Sequence, residues 1–202
     1  MDITPKVGVA HAGWGAQTHQ VSIGNDMPLH VTALVVTKGN VELAIVDVDI
    51  GIFTNPQDKK IRELISKKSG IPFGNIRLAY THTHSGPITF GQWIKDGIDL
   101  ANEWWNTIPD ACAKAVIEAK ATAQPARTGF GRGSCDVNIN RRPSRDNGQL
   151  FTGRNWDGAV DHSVDVVSFD DADDNPIATI VNYAMHPTIM AHQNQWVTPD
   201  FP

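Results

Sequence analysis

The chain has 202 residues, 41% of them apolar and 19% charged, which is enough for one sizeable core in a single domain spanning residues 1–202. Its 17 Lys and Arg against 22 Asp and Glu leave a net charge of −5 and a pI near 5.8. The one basic run, Arg141-Arg142, is too short to neutralise a nucleic-acid backbone. No apolar run approaches the roughly 20 residues of a membrane-crossing helix, and two cysteines, Cys112 and Cys135, are too few for a disulfide framework.

Met1 is followed by Asp-Ile-Thr-Pro and not by a charged and then apolar leader, so a cytoplasmic location is expected, or secretion if a leader has been removed. Gly8 to Gly24 is glycine-rich and carries His11, Trp14 and His19 without periodicity, which reads as a loop segment covering something else. Leu29–Thr37 and Val41–Asp49 are β-branched and alternating, joined through Lys38-Gly39-Asn40 as a hairpin. The second strand ends in Asp47-Val48-Asp49, whose carboxylates share a face. They either cap the next segment of the chain or serve a metal or an imidazole. Asn55-Pro56 opens a helix with Ile61, Leu64 and Ile65 on one side, and Gly70 stops it. Strand, helix, strand predicts a βαβ unit in which the strands leading to Asp49 and Tyr80 are parallel, bringing Asp49 near His82.

The third strand runs into Thr81-His82-Thr83-His84-Ser85-Gly86-Pro87. In extended backbone, residues two apart face the same side, so both imidazoles are expected to aim at one spot beyond the strand end. Gly97 to Ala123 carries a wide apolar stripe of helical period, with Pro109 expected to kink it or to begin a fresh helix. Trp104 and Trp105 read as core, with an acyl pocket as the alternative. Ala126–Gly133 is a glycine-punctuated strand. The polar stretch Val137–Gly158, with Asn138, Asn140, Arg141, Arg142, Arg145 and Arg154, reads as a long loop that either clamps an oxyanion or is simply solvated. Val164–Asp170 and Ile177–Tyr183 form a second hairpin across Asp171–Asn175, a turn that lacks the later glutamate of a calcium loop. That hairpin delivers Asn182-Tyr183-Ala184-Met185-His186-Pro187-Thr188, and no closing element is visible from Trp196 to Pro202.

Histidines at two strand ends suit a catalytic zinc, which takes neutral imidazoles plus a carboxylate and keeps one position for water. A Gly-x-Ser-x-Gly elbow, a His-Glu-x-x-His helix and a phosphate-binding glycine loop are all missing. Serine hydrolase, zincin and nucleotide enzyme therefore rank lower.

Asp2-Ile3-Thr4-Pro5, Val48-Asp49-Ile50-Gly51, Thr81-His82-Thr83-His84-Ser85-Gly86-Pro87, Asn140-Arg141-Arg142-Pro143 and Asn182-Tyr183-Ala184-Met185-His186-Pro187-Thr188 occur in that order. In this the chain resembles the amino-terminal part of the neutral/alkaline non-lysosomal ceramidase family. The resemblance implies a mixed α/β fold, with β-sheets flanked by helices, and a zinc amidase that cleaves the N-acyl bond of a lipid or small-molecule substrate. It implies that His82 and His186 bind zinc and that metal-bound water attacks the acyl carbonyl. His84 would face that carbonyl and help stabilise the oxyanion, with Arg141 as a second polarising group. The remaining ligands of the family, a glutamate and a tyrosine, and a serine in a Gly-Asp-Val-Ser-type motif are expected beyond residue 202. These 202 residues alone are thus expected to be inactive. Ile88-Thr89 departs from the family's glycine-rich continuation, so a bacterial relative acting on another amide, ester or lactone, and a silent ligand-binding domain of the same fold, remain as rivals.

Overall fold

The computed structural model describes residues 1–14, 17–88 and 94–201; Thr89 and Pro202 lie outside the described residues. In chain order the elements are β1 (His11–Ala12), β2 (Gly24–Asn25), β3 (Val31–Lys38), β4 (Val41–Val48), α1 (Asn55–Ser69), β5 (Ile76–Tyr80), β6 (Gly86–Pro87), α2 (Ile98–Ala121), β7 (Arg127–Ser134), β8 (Ser163–Asp170), β9 (Pro176–Tyr183) and β10 (Trp196–Val197). They group into two compact units, one of residues 1–123 with 187–202 and one of residues 124–186.

The first unit is built on the sheet β3-β4-β5. Lys38 pairs with Val41, so the hairpin turn is only Gly39-Asn40, and Gly39 sits at φ 59°, the left-handed region such tight turns need. β5 joins β4 in parallel, with Val48 opposite Tyr80, as the βαβ reading expects. Gln57 Oε1 accepts the Thr54 N–H at 2.9 Å and secures the start of α1, while Gly70, at φ 78°, returns its N–H to Ser66 O at 3.0 Å and ends it. The two helices pack on each other and on the sheet, burying Val46, Val48, Ile61, Ile65, Ile108 and Val116 completely. At about 1.5–3 kcal/mol per buried side chain, this cluster holds the unit together.

α2 is a single helix running through Pro109, so the reading of a fresh helix at that proline is corrected; the buried ring has replaced one backbone hydrogen bond with packing. Trp104 is core, its indole N–H donating to Ile3 O, and Trp105 packs against Phe53 with ring centroids 5.7 Å apart. Cys112 is fully buried, and burial pushes its thiol up to about 12, which leaves it inert. The last described residues do have a closing element. β10 pairs in parallel with β2, and the Trp196 ring lies directly over Gly24, where no side chain would fit. Among the described residues no helix is long and apolar enough to cross a membrane.

The second unit is the antiparallel sheet β7-β8-β9. The stretch from 137 to 158 is not an open loop. It folds back on itself through the bridges Asn140–Asn155 and Ser144–Leu150. The turn at Asp171 is held by its own carboxylate, which accepts the Asp173 and Asn175 N–H groups at 2.9 Å, as expected of an Asx turn.

Candidate functional site

β5 ends at Tyr80, and the chain stays tied to the end of β4 for two more residues: Thr81 N–H donates to Val48 O and His82 N–H to Ile50 O, both at 3.1 Å. At His82 the backbone then turns to φ 62°, an uncommon conformation for a residue with a Cβ and one that accumulates at functional sites. The extended-backbone argument for the histidine pair therefore fails at its first member. The two rings still meet, edge to face with centroids 5.0 Å apart, and bring a nitrogen from each within 4.8 Å. They meet because the residues between and after them are buried. Thr83 Oγ1 donates to Thr198 O at 2.8 Å and accepts the Ser85 N–H at 3.0 Å, and Thr198 N–H donates to Ser85 O at 2.9 Å. With Thr83 and Ser85 anchored inward, the two imidazoles are left half-exposed on the other side.

A carbonyl oxygen only accepts, so ring contacts to carbonyls fix tautomers. His82 Nδ1 lies 2.5 Å from Gly51 O and His84 Nδ1 lies 2.7 Å from Gly13 O. Both Nδ1 atoms therefore carry the proton, and both Nε2 atoms carry the lone pair. This is the form of a zinc-ligating imidazole, so the pair fits a metal. The orienting acceptor for His82 is the Gly51 carbonyl and not a carboxylate. Asp49, its pKa raised by burial, accepts the backbone N–H of His30 at 2.7 Å, a residue of the preceding strand region and not of the following segment.

A loop that the sequence marked only as glycine-rich supports His84. His11 is fully buried and its Nδ1 is 3.0 Å from His19 Nε2. Burial, and then the charge of His19, push the His11 pKa from its ordinary 6.5 down to about 4. The unfolded chain thus takes up a proton at His11 before the folded chain does. Stability present above pH 6.5 is lost as pH falls through 6.5 toward 4, by about 3 kcal/mol at 1.36 kcal/mol per pKa unit. Denaturant unfolding between pH 7 and pH 4 is expected to show this slope, and His11→Gln is expected to flatten it.

In the second unit Arg141 and His186 are brought together: Arg141 Nη2 donates to His186 Nδ1 at 3.2 Å. A neutral His186 in this contact carries its proton on Nε2, the opposite of His82 and His84, and its Nδ1 lone pair is engaged by Arg141, so a metal at Nδ1 would take the place of that contact. Asn138 holds the chain that delivers His186. Its side-chain amide donates to Asp161 O and Ala184 O, both at 2.7 Å, and its backbone N–H donates to Tyr183 Oη at 3.0 Å. Sequence reading placed Asn138 in a polar loop that either clamps an oxyanion or is solvated, and gave no role to Gly13. The only available signal was an asparagine and a glycine in polar, aperiodic stretches.

Comparison with known proteins agrees with the resemblance read from the motifs. The family model "Neutral/alkaline non-lysosomal ceramidase, N-terminal" matches residues 1–201. Neutral ceramidase A of Dictyostelium discoideum is 33% identical over 62% of this chain and 18% of its own length; neutral ceramidase of Pseudomonas aeruginosa is 29% identical over 78% of this chain and 24% of its own. The crystal structure of the Pseudomonas aeruginosa neutral ceramidase superposes with a TM-score of 0.72 at 23% identity, covering 98% of this chain and 32% of that one. The fold is accordingly the mixed α/β fold expected, and the chain spans less than a third of the length of these relatives. By the match over residues 1–201, the chain belongs to the neutral/alkaline non-lysosomal ceramidase family.

Proposed function

We propose that this chain forms part of a zinc-dependent hydrolase of the ceramidase type, cleaving the N-acyl bond of a lipid amide, with His82 and His186 as metal ligands. The observation that supports this most directly is the His82–His84 pair, whose Nδ1 protons are both spent on carbonyls. Bound zinc supplies a Lewis acid that polarises the acyl carbonyl and acidifies water. His84, in the tautomer fixed by Gly13, accepts at Nε2. It takes the proton of the attacking water as the new C–O bond forms, and as imidazolium it then donates to the developing oxyanion. The same proton passes to the leaving amine when the C–N bond breaks. Arg141 offers its guanidinium N–H groups to the oxyanion, its contact with His186 Nδ1 giving way when that nitrogen takes the metal.

Loss of one oxyanion donor typically costs about 10²–10³ in kcat. Arg141→Ala is expected to show a loss of that size with N-acyl-sphingosine, and Arg141→Lys to recover part of it. A panel of N-acyl-sphingosine, a short-chain amide, an ester and a lactone, followed by fatty-acid release, tests the substrate class. Turnover of the lipid amide above the others is expected; turnover of the lactone or ester alone overturns it, and metal binding without any turnover points to a ligand-binding domain.

A further inference from the structure

We propose that the described residues 11–14 and 17–19 form a positioning element for His84, with Gln17 and Trp14 as its positioning residues. Gln17 ties the loop to itself. Its amide Nε2 donates to His11 O at 2.9 Å and His19 O at 3.0 Å, and its Oε1 accepts the Trp14 N–H at 3.2 Å. One side chain thereby closes three backbone groups, on His11, Trp14 and His19. His11 locks one end through His19 and through the β1–β6 pairing of His11 with Pro87, three residues after His84. The loop then presents two surfaces to His84. Gly13 O takes the Nδ1 proton at 2.7 Å, and the Trp14 ring packs on the imidazole with centroids 4.9 Å apart. Gly13 approaches so closely that a Cβ there would sit 2.9 Å from His84 O and 3.0 Å from His84 Cα, so the position accepts only glycine without a shift. The Trp14 ring also meets His192 edge to face at 6.5 Å, which fixes its own plane.

Without this loop a half-exposed imidazole populates both tautomers and rotates about its side-chain bonds. With it, Nδ1 is committed and Nε2 is the acceptor. The inference rests on the proposed hydrolase only for what the acceptor is used for; the tautomer itself is a property of the chain.

The test is long-range ¹H–¹⁵N NMR of the imidazoles in the metal-free 202-residue chain, at an alkaline pH where they are neutral, with His84→Gln assigning the His84 signals. Wild type is expected to show His84 as a single Nδ1–H tautomer. Gln17→Ala and Trp14→Leu are expected to convert it to a mixture, with Trp14→Phe largely restoring it, while His82 stays Nδ1–H because its partner, Gly51 O, does not belong to the loop. His82 is thus an internal control for a merely structural effect. Should Gln17→Ala unfold the chain, the wild-type spectrum and Trp14→Phe against Trp14→Leu still decide. An Nε2–H tautomer at His84 in wild type, or an unchanged His84 in folded Trp14→Leu, overturns the proposal. In the active protein the variants are expected to lose about tenfold or more in kcat with KM nearly unchanged, the range typical of an orienting contact. Hydrolysis by wild type is read separately, so a tautomer result against the loop leaves the hydrolase reading intact, and absent hydrolysis leaves the loop intact.

Discussion

His82→Ala is expected to abolish N-acyl hydrolysis and to lower zinc affinity by more than the roughly 10–100-fold that loss of an orienting contact costs, because the proposed ligand itself is removed. The backbone makes the substitution unusually informative. His82 stands at φ 62°, where a Cβ costs about 1–2 kcal/mol, so alanine keeps the strain and loses the ring, whereas glycine loses both. His82→Gly is therefore expected to be as inactive as His82→Ala and to melt no lower, despite glycine's entropic cost. Thermal unfolding of both variants beside their activity separates the two roles. Equal inactivity with equal or higher stability for glycine is the expected pattern, and retention of turnover in either variant contradicts the assignment of His82.

Gly97→Ala is expected to be the most damaging small change in the first unit. Gly97 precedes α2 at φ 71°, its carbonyl accepts the Ala10 N–H at 3.0 Å, and a Cβ there would collide with Gly8 O and Ala10 N. The left-handed penalty of about 1–2 kcal/mol adds to an overpacking cost of about 1–3 kcal/mol against backbone that cannot rotate away, for a total of about 3 kcal/mol. Gly39→Ala is the matched control: φ is 59° but the space is open, so about 1 kcal/mol is expected. Denaturant midpoints of the two variants measure the difference. Because Ala10 leads directly into His11, Gly97→Ala is also expected to disturb the contact between Gly13 and His84.

The parts of the fold legible in the sequence are those whose signal is local and repeated. Alternating β-branched residues gave β3 and β4, Pro56 and Gly70 bracketed α1, and the βαβ order gave the parallel pairing of β4 with β5. Two-residue strands such as β2 and β10 carry no period to detect, and their pairing depends on Trp196 finding Gly24 far away in sequence. Pro109 does not break α2 because its ring is buried against the core, an override of propensity by packing. At the site, the His-x-His spacing was visible but its geometry was not. The left-handed turn at His82 is set by the burial of Thr83 and Ser85 against the segment from 194 to 198. Likewise, the contact of Arg141 with His186 joins residues 45 apart, which no local pattern announces.

The most direct test of the central assignment is zinc content of the intact protein after exhaustive dialysis, compared with its His82→Ala and His186→Ala variants. One zinc per wild-type molecule, lost in parallel with N-acyl hydrolysis in both variants, is the expected result. Wild-type protein that hydrolyses the amide at full rate with no zinc bound, or a full zinc complement in both variants, would contradict it.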